Sequence, residues 1–333
     1  MTRLRQLSLL PPQQEAEITR YTTLGATLPL FQQHLQRAGR SLYTLRAFAS
    51  DLRLLARYTN DDLPVGAFTP ERLNEFLGWL EHGRGLPCSR KSWARRVTTL
   101  KVYFRWLHGL KVIASDPAAG IAQRSGPAPL ARVLAPDEVA RALAAARRAG
   151  QQTRPDARPE LLLRLLLETG IKKGETVRLR REDFDRDCEP PLLTVRYRLR
   201  GARAQQDPEQ QPRNPWRERR IALQPDLLPL LDVWLAQQDA GGTRVFDCGA
   251  GNLEYVLARL AAEAALERLS FEMLRWTSAL RDWQAGMAPA ALRDKLGLSA
   301  SSWLQTRAKL EQLARAGAEQ PRPGEAQRPA SRD

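Results

Sequence analysis

Histidine is almost missing from this chain. Its 333 residues hold three, His34, His82 and His108, so the last two thirds offer no imidazole as acid or base. Cysteine is as scarce: Cys88, Cys188 and Cys248 lie far apart, with no CxxC pair and no nearby histidine. That spacing argues against zinc and against a disulfide framework, and makes a reducing cytoplasm the expected compartment. No metal or other cofactor is expected. Hydrophobic residues make up 43% of the chain, yet no apolar run is long enough to span a bilayer. The opening MTRLRQLSLLPP has too short an apolar stretch for a secretory signal, so no membrane association is expected.

Acidic residues are outnumbered. Lys and Arg total 52 against 37 Asp and Glu, a net charge of +15. Such an excess points to a polyanionic partner, because clustered cations displace counterions from phosphates. An arginine-rich proteome would give the same composition, so the position of the charge must decide. The length suits two domains, each with its own core.

The first part reads as four helices. LGATLPLFQQHLQRAG places Leu28, Phe31 and Leu35 on one face and ends at Gly39. A second helix starts at the cap Ser41 and repeats apolar residues at Leu45, Phe48, Leu52 and Leu55. Thr69-Pro70 opens the third, as cap and first-turn proline, with Leu73, Phe76, Leu77 and Leu80 inward. The fourth runs from Ser89 to His108 and has no acidic residue at all. It carries Arg90, Lys91, Arg95, Arg96, Lys101 and Arg105, with Lys111 just beyond, opposite an apolar set of Trp93, Val97, Leu100, Phe104 and Leu107. A solvated surface helix mixes signs to gain i,i+4 pairs. A face of one sign suits phosphates as the counter-charge, with a plain basic surface as the competing reading.

Residues 1–22 read as a flexible arm, 23–120 as the helical domain, 121–132 as a linker, 133–317 as a second domain and 318–333 as a disordered tail. The second domain opens with a helix at Pro136, followed by a buried helix, a glycine turn and a short helix in LLLRLLLETGIKKGETVRLRREDFD. PLLTVRYRLRG and RERRIALQP bracket a β-hairpin around a long polar loop, Ala202 to Trp216. Helices follow at Pro225 to Gln238 and Leu253 to Leu266. From Ser270 come a helix, a turn at Gly286 to Pro289, a second helix, a break at Gly297 and a last helical piece.

In this order the motifs resemble those of the tyrosine recombinase (phage integrase, Xer-like) family, over residues 24–312. SLYTLRAFASDL resembles the family's Ser-x-x-Thr-x-x-x-Tyr-x-x-Asp-Leu helix, with Phe48 at the aromatic position. ETGIKKGETVRLRREDFD resembles the box TG-L-R-x-x-E-x-x-x-L-x-x-x-D, and RERRIALQP the strand closing the hairpin beside it. EMLRW matches His-x-Leu-Arg-His, and DKLGLSASSWLQTR the Leu-Gly-His box with its approach to the nucleophile. The resemblance implies a mainly α protein with a small β-sheet. An N-terminal helical, SAM-like core-binding domain would join an α+β domain of the recombinase catalytic fold, as a C-shaped clamp on duplex DNA.

Family members cut DNA without metal: a tyrosine attacks phosphorus, two arginines and a histidine or tryptophan stabilise the transition state, and a lysine and a histidine move protons. Position by position, the resemblance puts Lys172 for the first arginine and Arg200 for the hairpin lysine. It puts Glu272 for the box histidine, Arg275 for the second arginine, Leu298 for the next histidine and Arg307 for the tyrosine. Lysine lacks the planar fork of arginine, and arginine cannot attack phosphorus. No tyrosine follows Tyr255, so no register shift restores the nucleophile. Arg275 reads either as a phosphate ligand or as the i,i+3 partner of Glu272, and Trp276 as either a phosphate stack or core.

What this leaves is a binding apparatus without its cutting chemistry: a sequence-specific double-stranded DNA binder, not an enzyme, recognising a target or attachment site for a mobile element. The expected contacts are Arg90, Lys91, Arg95, Arg96, Lys101, Arg105, Lys172, Lys173, Arg198, Arg200 and Arg275. Alternative readings are a non-cutting partner in a recombinase complex, a transcriptional regulator, or an active recombinase with unorthodox residues. Beyond DNA, the expected partners are transposase or recombinase subunits and a second copy on DNA. The resemblance also implies a C-terminal helix, Ala308 to Ala316, able to exchange between protomers.

Overall fold

The computed structural model describes residues 18–86, 88–123, 130–198, 216–238 and 241–318. The chain divides into two compact units, Met1–Pro127 and Ala128–Asp333.

The first unit holds α1 (Leu24–Arg37), α2 (Leu42–Tyr58), α3 (Pro70–Gly78) and α4 (Arg90–Gly109). Short polar side chains start each of them. Thr23, Ser41, Thr69 and Ser89 each accept a hydrogen bond from an amide of the first turn, satisfying donors that have no partner inside the helix. The apolar spacing read from the sequence becomes the core: Phe31, Leu52, Phe76, Leu100 and Phe104 are buried. Tyr103 is buried among them, and its hydroxyl meets that of Thr27 at 2.5 Å. Burial pushes this phenol well above its usual range, the Thr27 hydrogen bond opposing only in part.

The second unit begins with α5 (Pro136–Gly150) and α6 (Arg158–Thr169). Six leucines of α6, at 161, 162, 163, 165, 166 and 167, are buried, as befits a helix enclosed on all sides. Gly170 ends it in the left-handed region (φ 59°), and the short α7 (Lys173–Thr176) follows. The sheet is wholly antiparallel, in the order β1 (Phe184–Asp185), β2 (Leu192–Arg198), β3 (Trp216–Ala222). β2 and β3 are the expected hairpin. The two-residue β1 is an addition that so short a strand gives no pattern to announce. The period of two turns Leu193, Val195 and Ile221 into the core, and Arg219, the cross-strand partner of Val195, with them.

Five helices complete the unit: α8 (Leu227–Ala236), α9 (Ala250–Glu263), α10 (Phe271–Gln284), α11 (Pro289–Lys295) and α12 (Ala300–Ala318). Around α10 to α12 a smaller core gathers Leu292, Leu296, Trp303, Leu310 and Leu313. Thus α12, the segment expected to be exchangeable, buries its apolar side within its own unit. The loop residues 202–215, the linker residues 124–129 and the tail from 319 lie outside the described residues. No helix among the described residues is long and apolar enough to cross a membrane.

Candidate functional site

Charge in the first unit is concentrated on α4 and α2. On α4 the exposed positions Lys91, Arg95, Thr98 and Arg105 recur at helical spacing, with Arg90 exposed beside them. Among the described residues, Arg90, Lys91 and Arg105 have no carboxylate partner. Lys101 is half-buried and turns its Nζ to the Ala119 carbonyl at 3.4 Å.

Arg95 and Arg96 differ from what the helix alone suggested. The acid missing from α4 comes from α2. Asp51, its side chain 4% exposed, accepts from Arg95 Nη2 at 2.7 Å and from Thr99 Oγ1 at 3.0 Å. Arg96 Nε lies 3.5 Å from the same carboxylate, and its side chain is only 11% exposed, with a second contact to Cys88 Sγ. Arg96 is therefore a structural cation joining two helices, while Arg95, 44% exposed, keeps part of its guanidinium in solvent. Burial raises the Asp51 carboxyl above its usual range, outweighing the two arginines and Thr99.

A stripe missed in the sequence runs along α2. Tyr43, Arg46, Ser50, Arg53 and Arg57 are all exposed and recur every three or four residues, again with no acid between them on that face. Among the described residues, none of these arginines meets a carboxylate. Its signal lies in the sequence: Arg46, Arg53 and Arg57 fall on one face of the helix, away from Leu45, Phe48, Leu52 and Leu55. Asp51, next to Ser50, ties this stripe to that of α4.

In the second unit the residues expected at the scissile phosphate are brought together only in part. Arg275 on α10 does not meet Glu272. Its Nη1 donates to the Gly170 carbonyl and its Nη2 to the Leu296 carbonyl at 2.6 Å. Desolvation, with the nearby Arg219 charge, brings its pKa down to about 10 despite the attraction of Glu175. Arg219 on β3 makes a two-pronged pair with Glu175, at 3.1 and 2.7 Å, and donates Nε to the Lys295 carbonyl at 2.8 Å. Burial alone would raise Glu175, but the Arg219 hydrogen bonds and charge, with the Lys172 amide, leave it below its usual range. Arg219 approaches so closely that a Cβ on Gly297 would sit 2.9 Å from its guanidinium; Gly297 also has φ 59°. Two arginines thus clasp the ends of α6, α7 and α11 together.

The other positions lie around this clasp. Lys172 is exposed just before α7, and Lys173 pairs with Glu254 at 2.7 Å. Glu272 is exposed on α10. Leu298 and Trp276 pack against the small core, and Lys309 lies over the Trp276 ring at 5.9 Å, so Trp276 is a packing residue. Arg307 is half exposed on α12 and pairs with Glu311 at 2.8 Å. On the hairpin, Arg196 is held by Asp183 and by Glu218 at 3.0 Å. The side chain of Arg198 and all of Arg200 lie outside the described residues. Among the described residues no cluster of His, Cys, Asp and Glu is arranged to hold a metal ion. Chemically, the arrangement offers fixed cations in the second unit and free cations along two helices of the first.

A helical unit with basic stripes is followed by a helix-rich unit around a small antiparallel sheet with a buried arginine, a fold shared by solved integrases and site-specific recombinases. The model of the phage integrase N-terminal SAM-like domain matches residues 28–109. Tyrosine recombinase XerC of Mycobacterium tuberculosis (strain CDC 1551 / Oshkosh) is 34% identical over 165 residues, 49% of this chain and 54% of the relative. XerC of Mycobacterium sp. (strain KMS) is 32% identical over 164 residues, 49% of this chain and 55% of its own length. The chain spans about half the length of the relatives it matches. A lambda integrase dimer bound to a COC' core site shares the fold with a TM-score of 0.62 and 19% identity, covering 86% of this chain and 77% of that one. XerH recombinase bound to a palindromic difH substrate gives 0.63 and 18%, covering 88% and 84%. The Tn1549 transposon integrase with circular-intermediate DNA gives 0.60 and 16%, covering 88% and 100%. The family model thus matches helices of the first unit, and over about half its length the chain is similar to tyrosine recombinases.

Proposed function

We propose that this chain binds duplex DNA in a sequence-specific way and does not cut it, serving to recognise a target or attachment site for a mobile element. The observation that carries the binding is the pair of stripes on α2 and α4: exposed arginines and lysines of which all but Arg95 have no carboxylate partner among the described residues, the stripes being fixed to each other through Asp51. A solvated surface gains by pairing such charges, as it does at Arg259–Glu263 and Arg307–Glu311. Phosphates supply the missing partners on α2 and α4, and the arginines between them reach base edges. The lambda and Tn1549 integrases are described on DNA, which supports the same polymer as ligand here. Lys172 adds an exposed cation in the second unit.

Loss of cutting is read from the site positions. Arg307 stands where the nucleophile is aligned, and it is engaged with Glu311. Leu298 and Glu272 supply no imidazole, and no histidine follows His108. Arg275 and Arg219 have a folding role that needs no substrate. The second reading, a non-cutting partner of a recombinase complex or a transcriptional regulator, uses the same DNA surface and differs only in the proteins recruited.

The test combines two measurements on the full chain. Binding to duplexes from its own genomic flanks should weaken steeply with salt and discriminate among sequences. Suicide duplexes carrying a nick at each position should trap no covalent protein–DNA adduct. Binding indifferent to salt would remove the phosphate surface, and a trapped adduct would restore the enzyme.

A further inference from the structure

One group on the stripe of α4 comes from outside the helix. Beyond α4 the chain turns back along it, with Ala118 and Ile121 buried in the core of the first unit. Asp116 Oδ1 accepts from the Ala118 amide at 2.8 Å, and Lys101 Nζ reaches the Ala119 carbonyl at 3.4 Å. A turn earlier on α4, Gln123 Nε2 donates to Thr98 Oγ1 at 3.0 Å. Thr98 is the exposed position between Arg95 and Arg105 on the proposed DNA stripe, and Gln123 is exposed with it. A neutral side chain is thereby held in the middle of a row of cations.

Its partner settles which way the amide points. Thr98 Oγ1 donates its proton to the Ala94 carbonyl at 2.9 Å, so toward Gln123 it offers only lone pairs. It accepts from an NH2 group and has no proton for a carbonyl oxygen, which keeps Nε2 against Thr98. A glutamine amide has two N–H donors and one oxygen acceptor. Thr98 takes one donor; the other, and Oε1, meet no further group among the described residues. What faces outward is one donor beside one acceptor in a single plane. In the major groove adenine presents N7, an acceptor, beside N6, a donor, which is the complement of that pair. Guanine presents two acceptors, so its O6 would face Oε1 with no hydrogen between them. Cytosine offers a donor alone, and thymine an acceptor beside a methyl group. The arginines and lysines along the stripe carry donors only, and suit phosphate and guanine instead.

We infer that Gln123, oriented by Thr98, is a specificity-determining residue that reads an adenine in the major groove of the bound duplex. The inference rests on the proposed DNA surface and gives it one position of sequence. Because Thr98 and the buried Ile121 already hold Gln123 in place, its amide loses little freedom on meeting a base. Thr98 acts through Gln123 and is a positioning residue.

The experiment selects duplexes from a randomised library with the full wild-type chain, then measures the selected duplex and its single base-pair changes by fluorescence anisotropy. At one A·T position, change to any other pair should weaken binding by about tenfold or more. Gln123→Ala should flatten the preference at that position and leave the others. A 7-deazaadenine there, which lacks the N7 acceptor, should weaken the wild type and not this variant. Gln123→Glu keeps an acceptor and loses the donors, so it should move the preference toward cytosine. Thr98→Val, which keeps the shape without the hydroxyl, should reduce the preference for adenine and leave the salt dependence unchanged. Both residues are exposed, so the helical circular dichroism should not change. A Gln123→Ala chain that keeps every base preference overturns the inference while sequence-specific binding stands. An equal loss on all duplexes overturns it too, by making Gln123 a backbone contact. A wild type that selects no sequence overturns the reading of a sequence-specific binder, and this inference with it.

Discussion

The proposed phosphate surface on α2 and α4 makes a quantitative prediction. Lys91, Arg105, Arg46 and Arg53 are exposed and, among the described residues, meet no carboxylate, so their removal breaks no ion pair. Each phosphate neutralised contributes about −0.9 to the slope of log affinity against log salt. If all four touch the duplex, the quadruple alanine variant should show a slope shallower by about 3.6. Raising salt fourfold should then weaken the variant by about two decades less than the wild type. Fluorescence anisotropy of a labelled duplex across a salt series reads the slope directly. Unchanged circular dichroism checks that the helices are intact. An unaltered slope, with DNA still bound, would refute the placement of DNA on these helices.

Three further outcomes follow from the buried pairs and the altered site. Asp51→Ala leaves Arg96 with a largely buried, unmatched cation and should cost the first unit roughly 3–5 kcal/mol in urea unfolding; a loss within error would mean that Arg96 turns outward. Glu175→Gln removes the charge facing Arg219 while keeping its volume, and should destabilise the second unit by roughly 3 kcal/mol with DNA binding by the first unit intact. Arg307→Tyr restores the aligned nucleophile alone and should still trap no adduct on a nicked suicide duplex, because Lys172, Glu272 and Leu298 remain; a trapped adduct would show that the rest of the site is competent.

Much of the fold was legible because it is written in local pattern. The caps Ser41, Thr69 and Ser89 and the apolar repeats of α1 to α4 each involve residues within one or two turns. Alternation in PLLTVRYRLRG placed the hairpin, and the breaks at Gly286 and Gly297 placed the helices after Ser270. What could not be read locally are the long-range charges. Asp51 lies 44 residues before Arg95, and Glu175 lies 44 before Arg219, so neither pairing leaves a trace in helix periodicity. For that reason α4 looked free of acids, and Arg96 looked like a phosphate contact. Arg219 was passed over within a strand of four charged residues, although the two-residue period already turned it inward with Ile221. Arg275 stood open between two local readings, and its two carbonyl partners belong to neither.

The carbonyl clasp of Arg275 bears on how such chains are recognised. A side chain that ties Gly170 to Leu296 is needed for the unit to close, whatever happens at a phosphate. On the proposed non-cutting reading, folding alone is enough to keep this arginine, so its presence is no sign that the reaction is retained. On that reading, sorting relatives into cutters and non-cutters by this arginine would misplace this chain. The residue aligned with the nucleophile, here Arg307, would carry the distinction instead.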